Sequence, residues 1–336
     1  MSLFRVIQYK TENSVNVAKV LDNEQVIPLA SPSSLFALAS EAVNTQQNLT
    51  TLIESKLSEQ PISYQQLVSD GSILPPIAHP DPAHCLVTGT GLTHLGSADT
   101  RSAMHANIAK AEDKLTDSMK MFKMGVEDGK ATVDRAASQP EWFYKGTGDI
   151  VQPPYRAIES PSFAADAGEE PELVGVYLND NAGTPYRVGF AIGNEFSDHV
   201  TEKHNYLWLA HSKLRQCSFG PELIIGDLPQ SLSGVSKIIR KDEVLWEKSF
   251  VTGEENMAHN IANLEHHHFK YAQFRHPGDL HIHFFGTSTL SFADGISTQD
   301  GDIFEISIPE FGRALRNPLK KLSDGGDAVT TVSVLK

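Results

Sequence analysis

From Pro140 onward the sequence is a series of short apolar runs broken by glycine, asparagine or proline, and this pattern limits the folds available to the chain. The runs are WFYKG, ELVGVYL, YRVGFAIGN, ELIIGDL and SKIIRKDEVLWEKSF, and the pattern returns in DLHIHFFGTS and DIFEISIPE. Many short strands separated by turn residues favour a mainly β core over a parallel α/β sheet. The sequence therefore predicts an α+β fold in which strands dominate.

The first 70 residues predict a separate small unit. Three apolar runs, FRVIQY, VNVAKVL and QVIPLA, are followed by two helix-like stretches, SLFALASEAV and NLTTLIESKL. Residues 71–84 hold four prolines, which remove amide donors and push the preceding residues out of helix. We therefore predict a small α+β domain at 1–70, a linker at 71–83 and a larger domain at 84–336.

Two helices are predicted within the larger domain. Apolar residues recur at steps of three and four from Met104 to Phe122, as an amphipathic helix requires. The methionines of this region are predicted to pack in a core or under a lid. Thr252 and Glu255 have the spacing of a capping box, and residues at helical spacing follow as far as Tyr271.

Charge and composition exclude several classes of function. The 336 residues include 28 Lys and Arg against 42 Asp and Glu, a formal charge of −14, which argues against nucleic acid and anionic membranes as partners. No apolar run approaches the roughly 20 residues that a membrane span needs. Cys85 and Cys217 cannot make a disulfide framework, and the start lacks a secretory signal. We therefore expect a soluble cytoplasmic protein.

The sharpest local feature is Glu170-Pro171-Glu172, which runs directly into the predicted strand LVGVYL. Side chains alternate along a strand, so the two carboxylates lie on one face about 7 Å apart. They repel unless a cation lies between them, and the loop NDNAGTP predicts a hairpin that returns Glu195 beside them. Three oxygen ligands suit Mg²⁺ or Mn²⁺ better than Zn²⁺. On spacing alone, a solvated sheet edge remains the alternative.

Other candidate sites are weaker. The loop GTGLTHLGS carries His94 and Ser97, but it lacks the third glycine of a dinucleotide motif and a Gly-Lys-Ser/Thr ending. Seven of the 14 histidines lie between His259 and His283, which invites a zinc site, whereas helical spacing favours simple packing for His268. No G-x-S-x-G motif occurs. We therefore predict neither a nucleotide site nor a nucleophile triad.

The ordered motifs of residues 84 to about 320 resemble those of the fumarylacetoacetate hydrolase superfamily. The motifs that carry the resemblance are WFYKG, EPELVGVY, GFAIGNEFSDH, a lysine before FGPELI, HPGDLHIHFFGT and DGDIFEISIPEFGRALRNPL. The resemblance implies a catalytic domain built as a mixed β-sheet roll, with a small N-terminal domain as in many relatives. It also implies a metal-dependent enzyme that forms a homodimer.

The resemblance implies a metal site at the three carboxylates. The E-x-E pair and the later acidic residue of the family match Glu170, Glu172 and Glu195, and these are implied to bind Mg²⁺, or Mn²⁺ or Ca²⁺ in its place. The family usually has Asn-Asp where this chain has Asn194 and Glu195. The third ligand is therefore one methylene longer.

The resemblance also implies substrate contacts. The family lysines match Lys145 and Lys213, and the Gly-Thr loop matches Gly286 and Thr287. Amides around Gly286 and Thr287 are implied to bind the substrate carboxylate. Either lysine could act as the base if burial and a nearby cation lower its pKa.

Some positions depart from the family pattern. His199 replaces a common arginine, and Glu202 replaces a glutamine three residues later. The histidine that activates water in hydrolytic members falls at Ser97, while His94 lies three residues earlier. Because a serine is no general base at neutral pH without help, the hydrolytic dyad is not evident.

These features together predict a Mg²⁺-dependent lyase, a dehydratase or hydratase acting on a 2-oxo-3-deoxy sugar acid through a metal-stabilised enolate. Lys145 or Lys213 is the candidate base, and His94, His199 or Glu202 is the candidate acid. Two alternatives stay open. One is a C–C bond hydrolase of a 2,4-dioxo acid such as an acylpyruvate, and the other is a non-catalytic binder of oxo acids.

Overall fold

A computed structural model describes residues 3–96, 116–323 and 329–335. Within these ranges the regular elements are mainly strands, which form two sheets with short helices between them. The predicted α+β class with a mainly β core is therefore confirmed. None of the helices in the described ranges combines the length and the apolar composition needed to cross a bilayer.

The first part of the chain supplies three apolar strands and two helices where the sequence predicted them. Its strands are β1 Phe4–Lys10, β2 Val15–Val20, β3 Gln25–Pro28 and β4 Ile62–Ser63, and its helices are α1 Leu35–Thr45, α2 Leu49–Glu54 and α3 Tyr64–Ser69. The side chain of Ser34 accepts a hydrogen bond from the Ala37 amide, which caps α1. The domain boundary at 71–83 remains a proposal.

The remaining elements form the larger part of the chain. The strands are β5 Cys85–Gly91, β6 Glu141–Thr147, β7 Val151–Gln152, β8 Ile158–Ser160, β9 Pro171–Asn179, β10 Pro185–Asn194, β11 Cys217–Phe219, β12 Leu223–Ile225, β13 Leu232–Arg240, β14 Glu243–Thr252, β15 Leu280–Thr287, β16 Ile303–Ser307 and β17 Leu315–Lys321. The helices are α4 Asp117–Asp128, α5 His199–His204, α6 Leu209–Lys213 and α7 Ile261–Phe269.

The strands of the described ranges fall into a large and a small sheet. Twelve strands form the large sheet, with the path β4-β3-β2-β1-β12-β10-β9-β15-β5-β6, with β11 attached beside β10 and with β7 beside β11. Five strands form the small sheet in the order β14-β13-β16-β17-β8. Since β1 pairs antiparallel with β12, the N-terminal strands extend the same sheet that carries β9 and β10.

Strand β9 lies inside the large sheet and is buried along its whole length. It pairs antiparallel with β10 on one side and with β15 on the other. Its side chains alternate, so Val174 and Val176 enter one apolar core while Leu173 and Tyr177 enter another. Burial of both faces fixes the register, because a slip of one residue would turn every side chain to the wrong core.

The predicted helix start at the capping box is wrong. Thr252 is the last residue of β14 and Glu255 lies in a short 3₁₀ turn, whereas α7 begins at Ile261. The side chain of Asn260 accepts a hydrogen bond from the Asn263 amide and caps this helix. Strand pairing with β13 therefore outweighs the local capping signal at Thr252.

The predicted methionine-rich helix is described only in part. Residues 97–115, with Met104, lie outside the described residues. Helix α4 contains Met119, Met121 and Met124, and the side chain of Met124 is 49% exposed. Met119 and Met121 are half-buried, and the predicted role of these methionines in a core or under a lid stays a prediction.

His268, His281 and His283 form a buried aromatic cluster between α7 and β15. The His268 ring stacks on His283 with centroids 4.6 Å apart, and its Nε2 lies 3.0 Å from Nδ1 of His281. Trp142 Nε1 donates to His268 Nδ1 over 3.3 Å, and Thr88 Oγ1 lies 2.7 Å from His283 Nδ1. Burial lowers the pKa of His281 and of His283 to about 3. These side chains are neutral packing residues at neutral pH.

We expect this cluster to make the fold sensitive to acid. The pKa of folded His283, about 3, lies below the ordinary value of about 6.5, so the unfolded chain binds a proton that the folded chain does not. The contribution of His283 to the free energy of unfolding is complete above about pH 6.5. It decreases toward pH 3 and is smaller by about 2 kcal/mol at pH 5.

The free energy of unfolding of His283→Gln, from urea titrations, should therefore decrease about 2 kcal/mol less between pH 7 and pH 5 than that of the parent. The control His266→Gln changes an exposed histidine of α7 and should follow the parent. An equal decrease in both variants would contradict the assignment.

Candidate metal and substrate site

The β9–β10 hairpin brings three carboxylates together. Glu170 precedes β9, Glu172 is its second residue, and Glu195 directly follows β10. The Glu195 amide donates to the Glu170 carbonyl over 3.0 Å, which holds the two ends of the hairpin in register. One ligand oxygen from each carboxylate lies within 4.8 Å of the others. The three exposed fractions are 3%, 1% and 0%, so this is not a solvated sheet edge.

The surrounding backbone fixes the orientation of these carboxylates. The side-chain oxygen of Asn194 accepts a hydrogen bond from the Glu170 amide over 3.2 Å, and the Gly286 amide donates one to Glu172 Oε2 over 2.7 Å. Thr287 lies opposite Glu172 in the β9–β15 pairing. Two strands and the end of a third thus determine where the carboxylate oxygens point.

Lys213, at the end of α6, lies directly between two of the carboxylates. Its Nζ donates to Glu170 Oε1 at 2.5 Å, to Glu195 Oε2 at 2.6 Å and to Ser197 Oγ at 3.1 Å. The ammonium group also lies 4.9 Å from the centre of the Phe143 ring. A fully buried charge needs such partners, because an uncompensated one costs several kcal/mol.

Lys145 uses its ammonium group differently. Its Nζ donates to Glu195 Oε1 at 2.5 Å and to two backbone carbonyls, those of Phe196 at 2.6 Å and Lys213 at 3.0 Å. All three ammonium hydrogens therefore have fixed acceptors. Lys145 neutralises Glu195 and ties β6 to the segment that runs from Glu195 to Lys213.

The three carboxylates face two ammonium groups, and the His199 imidazolium is shared between Glu170 and a further carboxylate, Asp166, so one negative charge remains in excess. Burial, and next the charges of Glu195 and Glu170, raise the pKa of Glu172 well above its ordinary value. Burial and these neighbouring charges thus favour the protonated form of Glu172 as long as no further cation neutralises the group.

The donor set fits a divalent cation. It consists of carboxylate oxygens, which hard cations such as Mg²⁺ prefer, and the three ligand atoms converge within 4.8 Å. The buried Nδ2 of Asn194 also lacks a hydrogen-bond partner among the described residues, and a water molecule bound at the cation would supply an acceptor. Glu170, Glu172 and Glu195 are thus the residues that could hold a metal ion.

His199 lies behind the first of these carboxylates. Its Nε2 donates to Glu170 Oε1 over 3.1 Å and its Nδ1 donates to Asp166 Oδ2 over 3.2 Å, and its ring stacks on Phe292. Burial acts to lower the pKa of His199, but the hydrogen bonds to Asp166 and Glu170 outweigh it and raise the pKa to about 10. Both N–H groups are engaged, so His199 positions Glu170. Glu202 is buried on the same helix, α5.

His94 is placed in a different way from His199. It is buried beyond the end of β5, with Nδ1 3.1 Å from Thr93 Oγ1 and Nε2 2.7 Å from Thr252 Oγ1. Burial lowers the pKa of His94 to about 4, so the ring is neutral at neutral pH. Ser97 lies outside the described residues.

The irregular end of β15 requires a glycine at position 286. Gly286 has a φ of 97°, and a Cβ at this position would collide with the hydroxyl of Thr93. That hydroxyl donates in turn to the Phe285 carbonyl. Since the Gly286 amide already donates to Glu172, this residue orients a carboxylate of the site.

Similarity to known proteins is found among solved structures. No protein-family model and no curated protein sequence matches the chain. Among solved structures, the apo form of 2-keto-3-deoxy-D-arabinonate dehydratase matches with a TM-score of 0.68 at 23% identity, over 95% of this chain and 100% of that one. A 5-carboxymethyl-2-hydroxymuconate delta-isomerase from Mycobacterium smegmatis matches with a TM-score of 0.56 at 15% identity, over 96% and 100%.

The chain has the fold of these enzymes. This agrees with the fold implied by the resemblance to the fumarylacetoacetate hydrolase superfamily. The same dehydratase has also been solved complexed with magnesium and 2,5-dioxopentanoate, and that structure matches with a TM-score of 0.66 at 24% identity, over 95% of this chain and 99% of that one.

Two buried acidic residues were missed by the sequence analysis. Glu141 starts β6, shares a strand face with Lys145 and accepts a hydrogen bond from the Tyr206 hydroxyl. Glu169 accepts hydrogen bonds from the amide and the hydroxyl of Ser291 at 2.9 and 2.7 Å. Strand alternation in EWFYK could have indicated Glu141. No local signal links Glu169 to a serine more than a hundred residues away.

We expect the Lys145 ammonium group to be essential for stability in the absence of metal. Lys145→Met leaves Glu195 buried with less compensation, so the free energy of unfolding at pH 7 should decrease by about 3–5 kcal/mol. Urea titration followed by tryptophan fluorescence measures this. The control Lys120→Met removes an exposed lysine of α4 and should leave the midpoint unchanged. A midpoint for Lys145→Met equal to that of the control would show that the charge is dispensable.

Proposed function

We propose that the protein is a divalent-metal-dependent lyase, with Mg²⁺ as the metal, that dehydrates a 2-oxo-3-deoxy sugar acid. The observation that carries this proposal is the buried group of Glu170, Glu172 and Glu195, whose charge exceeds that of the two lysines beside it. A second support is the fold, since an enzyme of the same fold has been solved with magnesium and 2,5-dioxopentanoate.

A metal ion at the three carboxylates would supply Lewis acidity, which makes the C3 hydrogens of a 2-oxo acid easier to remove. Lys213 is the proposed base. Both of its carboxylate acceptors, on Glu170 and Glu195, are also candidate metal ligands, so a bound cation would compete with the Lys213 ammonium group for them. Lys145 instead keeps two backbone carbonyls as acceptors whatever the carboxylates bind, and we assign it a positioning role.

The group that protonates the leaving C4 hydroxyl is proposed to be Glu141. His94 is neutral and both its nitrogens have hydroxyl partners, and both N–H groups of His199 are directed at carboxylates. Glu141 lies two residues before Phe143 on the same strand face, and the Phe143 ring is in contact with Lys213. Its bond with the Tyr206 hydroxyl holds the carboxyl group in place. Glu202, buried on α5, is a second candidate for this role.

The proposed activity is tested with purified protein, Mg²⁺ and a panel of five- and six-carbon 2-oxo-3-deoxy sugar acids, by following loss of water from C3 and C4. Glu172→Gln should decrease kcat/KM by about a thousandfold, because it removes a metal ligand worth several kcal/mol in the transition state. The control Glu159→Gln changes a carboxylate paired with Lys320 on the surface and should retain full activity.

Other outcomes would select another function. Cleavage of an acylpyruvate without dehydration of any sugar acid would identify a C–C bond hydrolase. Metal-dependent binding of 2-oxo acids by the parent without any turnover would identify a non-catalytic binder. Either result would refute the dehydratase proposal.

The proposed base and acid can be separated by isotope exchange. In D₂O, Glu141→Gln should still exchange the C3 hydrogens of the substrate, as seen by NMR, while dehydration decreases by about a hundredfold or more. Lys213→Met should lose both exchange and dehydration. Retained C3 exchange in Lys213→Met would exclude this lysine as the base.

We also propose that the protein works as a homodimer in the cytoplasm, as the resemblance and the cysteine content suggest. Cys85 and Cys217 are both buried free thiols, which suits a reducing compartment. Sedimentation equilibrium of the purified protein tests the oligomeric state, and a single monomeric species at micromolar concentration would contradict it.

A further inference from the structure

The segment 329–335 leaves four large apolar side chains almost fully exposed. The exposed fractions are 91% for Val329, 84% for Val332, 83% for Val334 and 98% for Leu335. The segment belongs to no helix or strand, although its sequence VTTVSVL is rich in the β-branched residues that strands favour. Such a run of unburied side chains is expected to find an apolar surface.

The small sheet has an open edge that could receive such a segment. Strand β14 ends the sheet and, among the described residues, pairs only with β13. Ser288 Oγ donates to the Val251 carbonyl, but no backbone partner other than β13 is described for residues 243–249. Val244 and Leu245 are 54% and 41% exposed there. A long edge with exposed apolar residues is a template for another strand.

We propose that residues 329–335 of one copy add as a strand to β14 of a second copy, and that the exchange is reciprocal. A reciprocal exchange gives a closed two-fold dimer, in which the exposed segment and the open edge of β14 each have a partner in both copies. This inference is independent of the proposed reaction, since none of these residues touches the carboxylate site.

The position of the segment favours a second copy over the same chain. The chain leaves β17 beside β8, where the Leu322 amide donates to the Ser160 carbonyl. Strand β14 is the opposite edge of that sheet, with β13 and β16 between. To reach its own β14, the segment would have to cross the face of the sheet.

The side-chain pattern of the segment fits the proposed position. In an added strand Val332 and Val334 share one face, because side chains alternate. On β14 the buried residues Trp246 and Phe250 also share a face, with exposed fractions of 9% and 5%. Valines placed beside them would extend the apolar layer of the small sheet across the junction between the two copies.

A pair of engineered cysteines tests which chains are joined. In the double variant Glu247→Cys with Ser333→Cys, the new thiols lie on the surface, whereas Cys85 and Cys217 are buried. A short bismaleimide cross-linker should convert most of the protein to a covalent dimer. Each single-cysteine variant is the control and should give little covalent dimer. A cross-link within one chain, or no cross-link at all, would overturn the proposal.

A truncated chain that ends at Ser323 provides a second readout. Its mass by sedimentation should be half that of the full chain, and the amides of residues 243–249 should exchange with D₂O about tenfold faster or more. Unchanged mass together with unchanged exchange would refute the strand addition. The truncated chain keeps the carboxylate site, so the strand addition and the dehydratase function are tested separately.

Discussion

The site depends on the neutralisation of three carboxylates that the fold removes from water. Desolvated charges are tolerated only when opposite charges and hydrogen bonds compensate them. Glu170, Glu172 and Glu195 therefore require Lys145 and Lys213 in contact with them. These five residues come from the β9–β10 hairpin, β6 and α6, so the ionic contacts determine how those elements pack. Three convergent carboxylates, one more than the ammonium groups beside them, are what would let the group hold a further cation.

Much of the fold could be predicted from local pattern. Apolar alternation and turn residues indicated the N-terminal strands and the β9–β10 hairpin, since burial and turn chemistry act over a few residues. The helix start at Thr252 could not be predicted, because the strand pairing that decides it is with Leu232 of the neighbouring strand β13, twenty residues earlier in the chain. The pairing of β1 with β12 also joins residues far apart in sequence.

The site was predictable only where one strand or hairpin contains it. Alternation places Glu170 and Glu172 on one face, and the hairpin adds Glu195, whereas the two lysines entered through the family resemblance alone. Contacts such as Lys213 with Glu170, or His94 with Thr252, depend on tertiary packing. The sequence also could not show that both nitrogens of His199 face carboxylates, which decides between a positioning group and an acid.

The three acceptors of Lys145 have a consequence for how this protein can evolve. Glu195 and the carbonyls of Phe196 and Lys213 mark the two ends of the segment that contains α5 and most of α6. One ammonium group closes that segment into a loop whose ends cannot move apart. The exposed residues of this segment, such as Leu207 and Trp208, can then change while both ends stay at the carboxylate group. His199 and Tyr206 are held instead by their contacts with Glu170 and Glu141. Variation at those exposed positions therefore leaves the geometry of the buried ionic group intact.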